Sequence, residues 1–247
     1  ANIQLEAKAV SIYDITTKTK IYGENDTIAL PIASLAKTMT ALLVLENDYD
    51  SKTQISKNAI DSEGEYGLLL GEVWKNIELV KFTLVYSSND GATALSESDI
   101  DFVKKINIKA GRIGMKHSLF LNPTGLDEVT KNTSIKVGAY ASADDANTLA
   151  VYALKNYPDI FESTTLSELT LYSESGISHK IKNTNTIINK IPNILFSKTG
   201  FTDLAGGNLT IIFKNKNDHN IAVTILGSTL DGRFVDMEKI VNMLYTL

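Results

Sequence analysis

A chain of 247 residues with 43% hydrophobic and 21% charged residues is long enough to bury a sizeable core and ordinary enough for a globular protein. Its formal net charge of -5, with no dense Lys/Arg block, excludes a nucleic-acid footprint, and no apolar run reaches membrane-spanning length. The absence of cysteine removes disulfides, thiolate nucleophiles and Cys-based metal sites, and suits an extracytoplasmic protein.

In chain order, Lys8 to Ile15 alternates around Val10, Ile12 and Ile15, and Thr16-Thr17-Lys18-Thr19 turns it into a hairpin with Ile21-Tyr22. Helical periodicity follows over Leu35–Leu45, Ile77–Tyr86, Ile100–Ile113 and Ala143–Leu154. A short apolar strand at Ile194-Leu195-Phe196 precedes two more, Asn208–Phe213 and Ile221–Leu226, joined by the polar turn Asn215-Lys216-Asn217-Asp218. A last helix starts near Arg233, with Phe234, Met237, Ile240, Val241 and Leu244 on one face. Strands at both termini with helices between them predict an α+β fold. One antiparallel sheet is built from N- and C-terminal strands and flanked by helices, and a helical insertion packs on one side. No repeat or linker divides the chain, so residues 1–247 read as a single domain with a mainly helical middle at about 34–160. Ala1 opens no secretion-signal pattern, which leaves a mature, trimmed or cytosolic chain.

Three short strings carry chemistry: Ser34-Leu35-Ala36-Lys37, Ser87-Ser88-Asn89 and Lys198-Thr199-Gly200. Each alone has an ordinary reading. Ser34 suits a helix cap with Lys37 solvated, a Ser-x-Asn string suits a turn, and Lys-Thr-Gly suits a strand end. Together, in this order, they supply more. Ser34 falls near a helix start, where free N–H groups favour developing negative charge, and Lys37 lies one turn on, within reach of its hydroxyl. A serine needs an adjacent base, and a lysine serves only when neutral, a state that burial and a nearby cation promote. Lys198 is a candidate for that cation, and with Thr199 it offers a carboxylate a charge and a hydroxyl along a strand edge. Ser87 is placed to relay a proton to a leaving amine, and Asn89 to hold Lys37 and a substrate amide. His117, His179 and His219 are scattered, without metal-ligand spacing and without a G-x-S-x-G elbow to serve. No metal and no organic cofactor is expected.

The three strings are the signature shared by penicillin-binding proteins and class A β-lactamases. The chain resembles the low-molecular-mass penicillin-binding proteins, the serine D-alanyl-D-alanine carboxypeptidases, over almost its whole length. Leu30 to Ala41, Ser87 to Ala92, Gly114-Met115-Lys116, Asn122 to Asp127, and Lys198 to Asp203 with Ala205-Gly206 all carry the likeness. The resemblance implies that Ser34 is acylated by the penultimate D-alanine of a peptidoglycan stem peptide ending in D-Ala-D-Ala, releasing the last D-alanine before water cleaves the ester. It implies an oxyanion hole from the N–H groups of Ser34 and Phe201, and a carboxylate site from Lys198, Thr199, Gly200 and Arg233. It further implies β-lactam antibiotics as covalent inhibitors and a place in the bacterial envelope outside the cytoplasm. Membrane attachment, where the family has it, would come through segments this chain does not contain.

Arg233 rests on a single Gly-Arg pair, and a surface arginine at a helix start is the competing reading. Two departures stand out: Ser88, a position often glycine in the family and without an assigned role, and the short Ser96-Glu97-Ser98-Asp99 link, expected to reshape one wall of the site. A class A-like β-lactamase is the nearest rival, with Glu128 and Asn132 as a superficial match to its deacylating acid. A non-catalytic module binding cell-wall fragments or β-lactams is the other, and its sign would be loss of Ser34 or Lys37.

Overall fold

The computed structural model describes residues 4–64, 66–129 and 134–245. Strands β1 (Ala9–Asp14), β2 (Thr19–Glu24), β3 (Ile194–Thr202), β4 (Gly206–Lys214) and β5 (Asn220–Ser228) form one antiparallel sheet in the order β3-β4-β5-β1-β2. The two ends of the chain meet at its centre, where Val10 pairs with Ile225 and Ile12 with Val223. The expected union of terminal strands in a single sheet therefore holds.

The central strands are buried on both faces because each face has its own helical cover. Leu209, Ile211 and Phe213 of β4 join Val10, Ile12, Val223 and Ile225 against Phe234, Met237, Ile240, Val241 and Leu244. These last five line one side of the terminal helix Gly232–Tyr245, the apolar stripe seen in the sequence. The opposite face, through Phe196, Ile212, Ala222 and Leu226, packs against the helical insertion. At the heart of that insertion is α1 (Lys37–Asn47), buried at every position from Lys37 to Leu45. A helix buried on all sides has no solvent face to keep, and α1 is accordingly enclosed by α2 (Asn76–Val85), α3 (Asn89–Ser96), α4 (Phe102–Arg112) and α5 (Ala143–Asn156).

The middle is less purely helical than its periodicity suggests. Short pairs at Lys52–Gln54 with Val73–Lys75 and at Glu128–Val129 with Ile135–Lys136 interrupt it, and Glu168–Tyr172 pairs with Ser178–Lys182 beyond it, all outside the main sheet. β3 is also much longer than Ile194–Phe196, because the Lys-Thr-Gly string continues the strand to Thr202 and does not end it.

One buried polar network ties α5 to the sheet. Asn147 donates to the Ser11 carbonyl at 3.1 Å and hydroxyl at 3.0 Å, and accepts from Thr224 at 2.8 Å. Replacing Asn147 by Ala removes three hydrogen bonds but leaves Ser11 bonded to Asp144 and Thr224 to Thr210, and should cost about 1–2 kcal/mol of stability in urea unfolding. A loss too small to measure would show that the network contributes little to docking α5.

Candidate active site

Ser34 lies in a short 3-10 turn, Ala33–Ala36, which runs directly into α1. It is neither a helix cap nor a residue of the α-helix proper. Ala33 enters the turn at φ +47, a left-handed conformation that a non-glycine residue holds only when its surroundings dictate it. Two glycines supply those surroundings. A Cβ on Gly125 would lie 2.0 Å from the Ala33 carbonyl oxygen, and one on Gly200 would lie 2.6 Å from that of Ile32 and 3.2 Å from the Ser34 nitrogen. The nucleophile turn is thus gripped between two backbones that only glycine lets so close.

Lys37, one turn on, has no exposed surface. Its Nζ lies 2.7 Å from Ser34 Oγ and donates to the Thr124 carbonyl at 2.8 Å. That carbonyl is presented by a loop held by Asn122, whose Oδ1 accepts from Gly125 N at 2.8 Å and Thr124 Oγ1 at 3.1 Å. The Asn122-Pro123-Thr124-Gly125 run therefore both grips the Ser34 turn and orients the lysine. Burial, and then the positive charge of Lys198, hold the Lys37 amine well below the ordinary lysine range. A neutral amine bonded through one N–H to Thr124 turns its lone pair to the serine hydroxyl, which can then donate its proton.

Ser87 follows α2 at φ +59, in the kink between α2 and α3. Its hydroxyl accepts from Lys198 Nζ at 2.8 Å, and the same amine donates to the Thr199 carbonyl at 2.9 Å. Burial, and then Arg233, bring Lys198 down to about 7. Arg233 opens the terminal helix but is not a surface residue: it is 7% exposed and donates to the Gly200 carbonyl at 2.8 Å. Its pKa is lowered to about 10, chiefly by burial. Among the described residues, none of these three basic side chains, Lys37, Lys198 and Arg233, has a carboxylate at salt-bridge distance. The site is built to receive an anion.

A cavity of about 400 Å³ joins these parts. Ser34, Ser87, Asn89, Thr199, Gly200, Phe201 and Arg233 line it, so the structure gathers the predicted residues at one place, with Lys37 and Lys198 buried behind them. Thr199 Oγ1 lies 2.6 Å from Thr184 Oγ1. Leu126, from the Asn122 to Asp127 run, also lines it, and the remaining lining residues, Glu63, Gly64, Tyr66, Tyr86 and Thr184, belong to no motif that the sequence shows.

Three sequence expectations need correction. Asn89 does not hold Lys37: its Nδ2 donates to the Glu63 carbonyl at 2.6 Å and to Tyr66 Oη at 3.0 Å. Ser88 does have a role, since its fully buried hydroxyl caps α3 by accepting from Gly91 N at 3.0 Å. The Ser96 to Asp99 link does not wall the site; Glu97 accepts from Ser56 at 2.9 Å, and Ser98 and Asp99 line a separate cleft with Leu43 and Asn47. Glu63, Gly64 and Tyr66 line the cavity instead. Glu128, the rival's deacylating acid, is exposed, bonds Asn122 Nδ2 at 2.8 Å and does not line the cavity; Asn132 lies outside the described residues. Among the described residues, no three His, Asp or Glu side chains are grouped to hold a metal.

Fold and site together place a buried serine–lysine pair beside a cavity edged by cations, at the joint between an antiparallel sheet and its helical insertion. The D-alanyl-D-alanine carboxypeptidase family profile matches residues 1–229, and the chain belongs to that family. It is 32% identical over 98% of its length to the D-alanyl-D-alanine carboxypeptidase DacF of Bacillus subtilis, and 30% identical over 82% to the D-alanyl-D-alanine endopeptidase of Escherichia coli. It spans 62% and 66% of those two proteins, under two thirds of each. Penicillin-binding protein D2 of Listeria monocytogenes, solved with ampicillin bound, superposes with a TM-score of 0.85 at 27% identity, covering 100% of both chains.

Two outcomes test this geometry. Gly200→Ala should push β3 off the Ser34 turn and slow acylation by about 10²-fold while leaving the circular dichroism unchanged. Wild-type acylation rates would contradict the close approach. Acylation by an anionic acyl donor should rise with pH as Lys37 loses its proton, then fall as Lys198, at about 7, loses its charge. A rate still climbing at alkaline pH would remove Lys198 from anion binding.

Proposed function

We propose that the protein is a serine D-alanyl-D-alanine carboxypeptidase that trims the terminal D-alanine from peptidoglycan stem peptides outside the cytoplasmic membrane. The observation that carries this reading is the 2.7 Å Ser34–Lys37 contact beside buried cations free of any carboxylate partner among the described residues. The terminal carboxylate of D-Ala-D-Ala sits against Lys198, Thr199 and Arg233. Ser34 Oγ attacks the penultimate carbonyl carbon as its proton passes to Lys37 Nζ, and the oxyanion is received by the N–H groups of Ser34 and Phe201. The C–N bond then breaks, and Ser87 relays the proton to the departing D-alanine nitrogen. Water, deprotonated by the again neutral Lys37, cleaves the Ser34 ester and restores the hydroxyl.

A β-lactam carries a carboxylate and a strained amide and enters the same path, but its leaving group stays tethered and the ester persists. The D2 structure holds ampicillin, which supports β-lactams as covalent inhibitors of this chain. The position of Glu128 away from the cavity favours the carboxypeptidase over the β-lactamase reading, and the bonded Ser34–Lys37 pair favours both over a non-catalytic module. Among the described residues, no helix is long and apolar enough to cross a membrane.

The test is release of D-alanine from a peptide ending in D-Ala-D-Ala, with mass spectrometry of the penicillin adduct in parallel. Ser34→Ala should abolish both. Amidating the substrate's carboxyl end should sharply reduce turnover, and Arg233→Ala should weaken the free acid more than the amide. An adduct persisting in Ser34→Ala, or wild-type protein that releases no D-alanine, would overturn the proposal.

A further inference from the structure

Thr184 and Thr199 meet hydroxyl to hydroxyl at 2.6 Å, and both line the cavity. Such a pair carries two protons: one lies between the oxygens, and the other is free for a third partner. The direction of the shared bond decides which oxygen presents it. The backbone around Thr184 is firmly held. Its N–H donates to the Val85 carbonyl at the end of α2, 3.3 Å away. On one side Asn183 Nδ2 donates to the Thr164 and Leu166 carbonyls at 2.7 and 2.9 Å, and on the other Asn185 Nδ2 donates to Ser197 Oγ at 2.9 Å. Ser197 and Thr199 are two apart on β3 and share one side of the strand, so Thr184 and Asn185 dock there through two rungs. The basic side chains converge on the same stretch. Lys198 Nζ donates to the Thr199 carbonyl and Arg233 to that of Gly200, while the buried Arg233 Nε has no hydrogen-bond partner among the described residues. These donors gather at residues 198–200 of β3, which seats an anion at Thr199.

We infer that Thr184 is a positioning residue for anion binding: it donates to Thr199 Oγ1 and thereby fixes the Thr199 proton on the substrate's terminal carboxylate. The inference rests on the function proposed above. A carboxylate accepts and does not donate, so Thr199 must give it a proton and is left to accept. Among the described residues, Thr184 is the side chain bonded to that oxygen, and it supplies the donor. A lone hydroxyl turns freely, whereas one that already accepts from a fixed neighbour has its own proton confined to the remaining directions. Accepting also polarises the Thr199 hydroxyl and strengthens it as a donor. Thr184 thus acts through Thr199 and not on the carboxylate itself.

The ratio of kcat/KM for a peptide ending in D-Ala-D-Ala to that for its C-terminal amide separates this role from a merely structural one. Thr184→Val keeps the branched shape and removes the hydroxyl. It should lower the free-acid value about fivefold, the range of one neutral hydrogen bond, and leave the amide within about twofold. Thr199→Val should cost the free acid about 30-fold, because its bond to the carboxylate is charge-assisted. Added to Thr199→Val, Thr184→Val should cost nothing further, since the two hydroxyls act as one unit. Thr184→Ser should restore the wild-type ratio. Equal slowing of acid and amide, or of neither, would overturn the inference, as would additive losses in the double variant. A larger loss from Thr184→Val than from Thr199→Val would also overturn it, by making Thr184 the direct contact. If Thr184→Val fails to fold, Thr184→Ala against Thr184→Ser makes the same comparison. Wild-type protein that releases no D-alanine would overturn the proposed function; release with a ratio that Thr184 does not move would overturn this inference alone.

Discussion

The amine of Lys37, wholly removed from water yet held against Ser34, is the interaction on which the site depends. An unpaired buried ammonium costs several kcal/mol, and the ordinary remedy, a carboxylate partner, is missing among the described residues. The lysine is instead relieved by giving up its proton, and Lys198 nearby pushes the same way. Burial, elsewhere a stability problem, here suits Lys37 to the base role proposed for it. The repulsion is also informative about the ligand: a cavity bordered by Lys198 and Arg233 gains most from an anion.

Such a contact needs backbone placed within tenths of an ångström, and three separate parts of the chain provide it. α1 is anchored by burial on all sides, which fixes the Lys37 stem. The Asn122 loop delivers the Thr124 carbonyl to Nζ and, through the Pro123 carbonyl, accepts from Thr40 at 2.6 Å. β3 closes over the Ser34 turn through Gly200, and Arg233 draws that strand in by bonding the Gly200 carbonyl. The left-handed Ala33 records the strain of meeting all three at once. Fold and chemistry thus share one joint, where the C-terminal half of the sheet meets the first turn of the insertion.

Much of this was legible in the amino-acid order. Alternation around Val10, Ile12 and Ile15 and the stripe from Phe234 to Leu244 located the sheet and its outer helix, because burial of one face leaves a period in the sequence. Ser34, Lys37, Ser87 and Lys198 were legible because the roles proposed for them belong to their side chains. What stayed hidden acts through main chain or through shape. Thr124 contributes a carbonyl that any residue carries, and Gly200 matters for the atoms it lacks. The Asn89 amide could not be traced to Glu63 and Tyr66, since that contact depends on how a loop far back in sequence folds over α3. The competing surface reading of Arg233 failed for a related reason: its neighbours come from β3, 33 residues away. Short pairs such as Glu168–Tyr172 with Ser178–Lys182 escaped because strands of five residues, half exposed, carry little periodic signal.

The account stands on the protonation state of one amine, and that state can be read directly. Selective ¹³C labelling of lysine Cε, with Lys37 assigned through a Lys37→Arg control, reports its titration by NMR apart from the surface lysines. A guanidinium cannot substitute as the base, so the same control should also lose acylation. The account predicts that Lys37 loses its proton well below the other lysines, in step with the rising limb of the acylation rate. A Lys37 signal that titrates together with the surface lysines, while Ser34 is acylated at full rate, would contradict it.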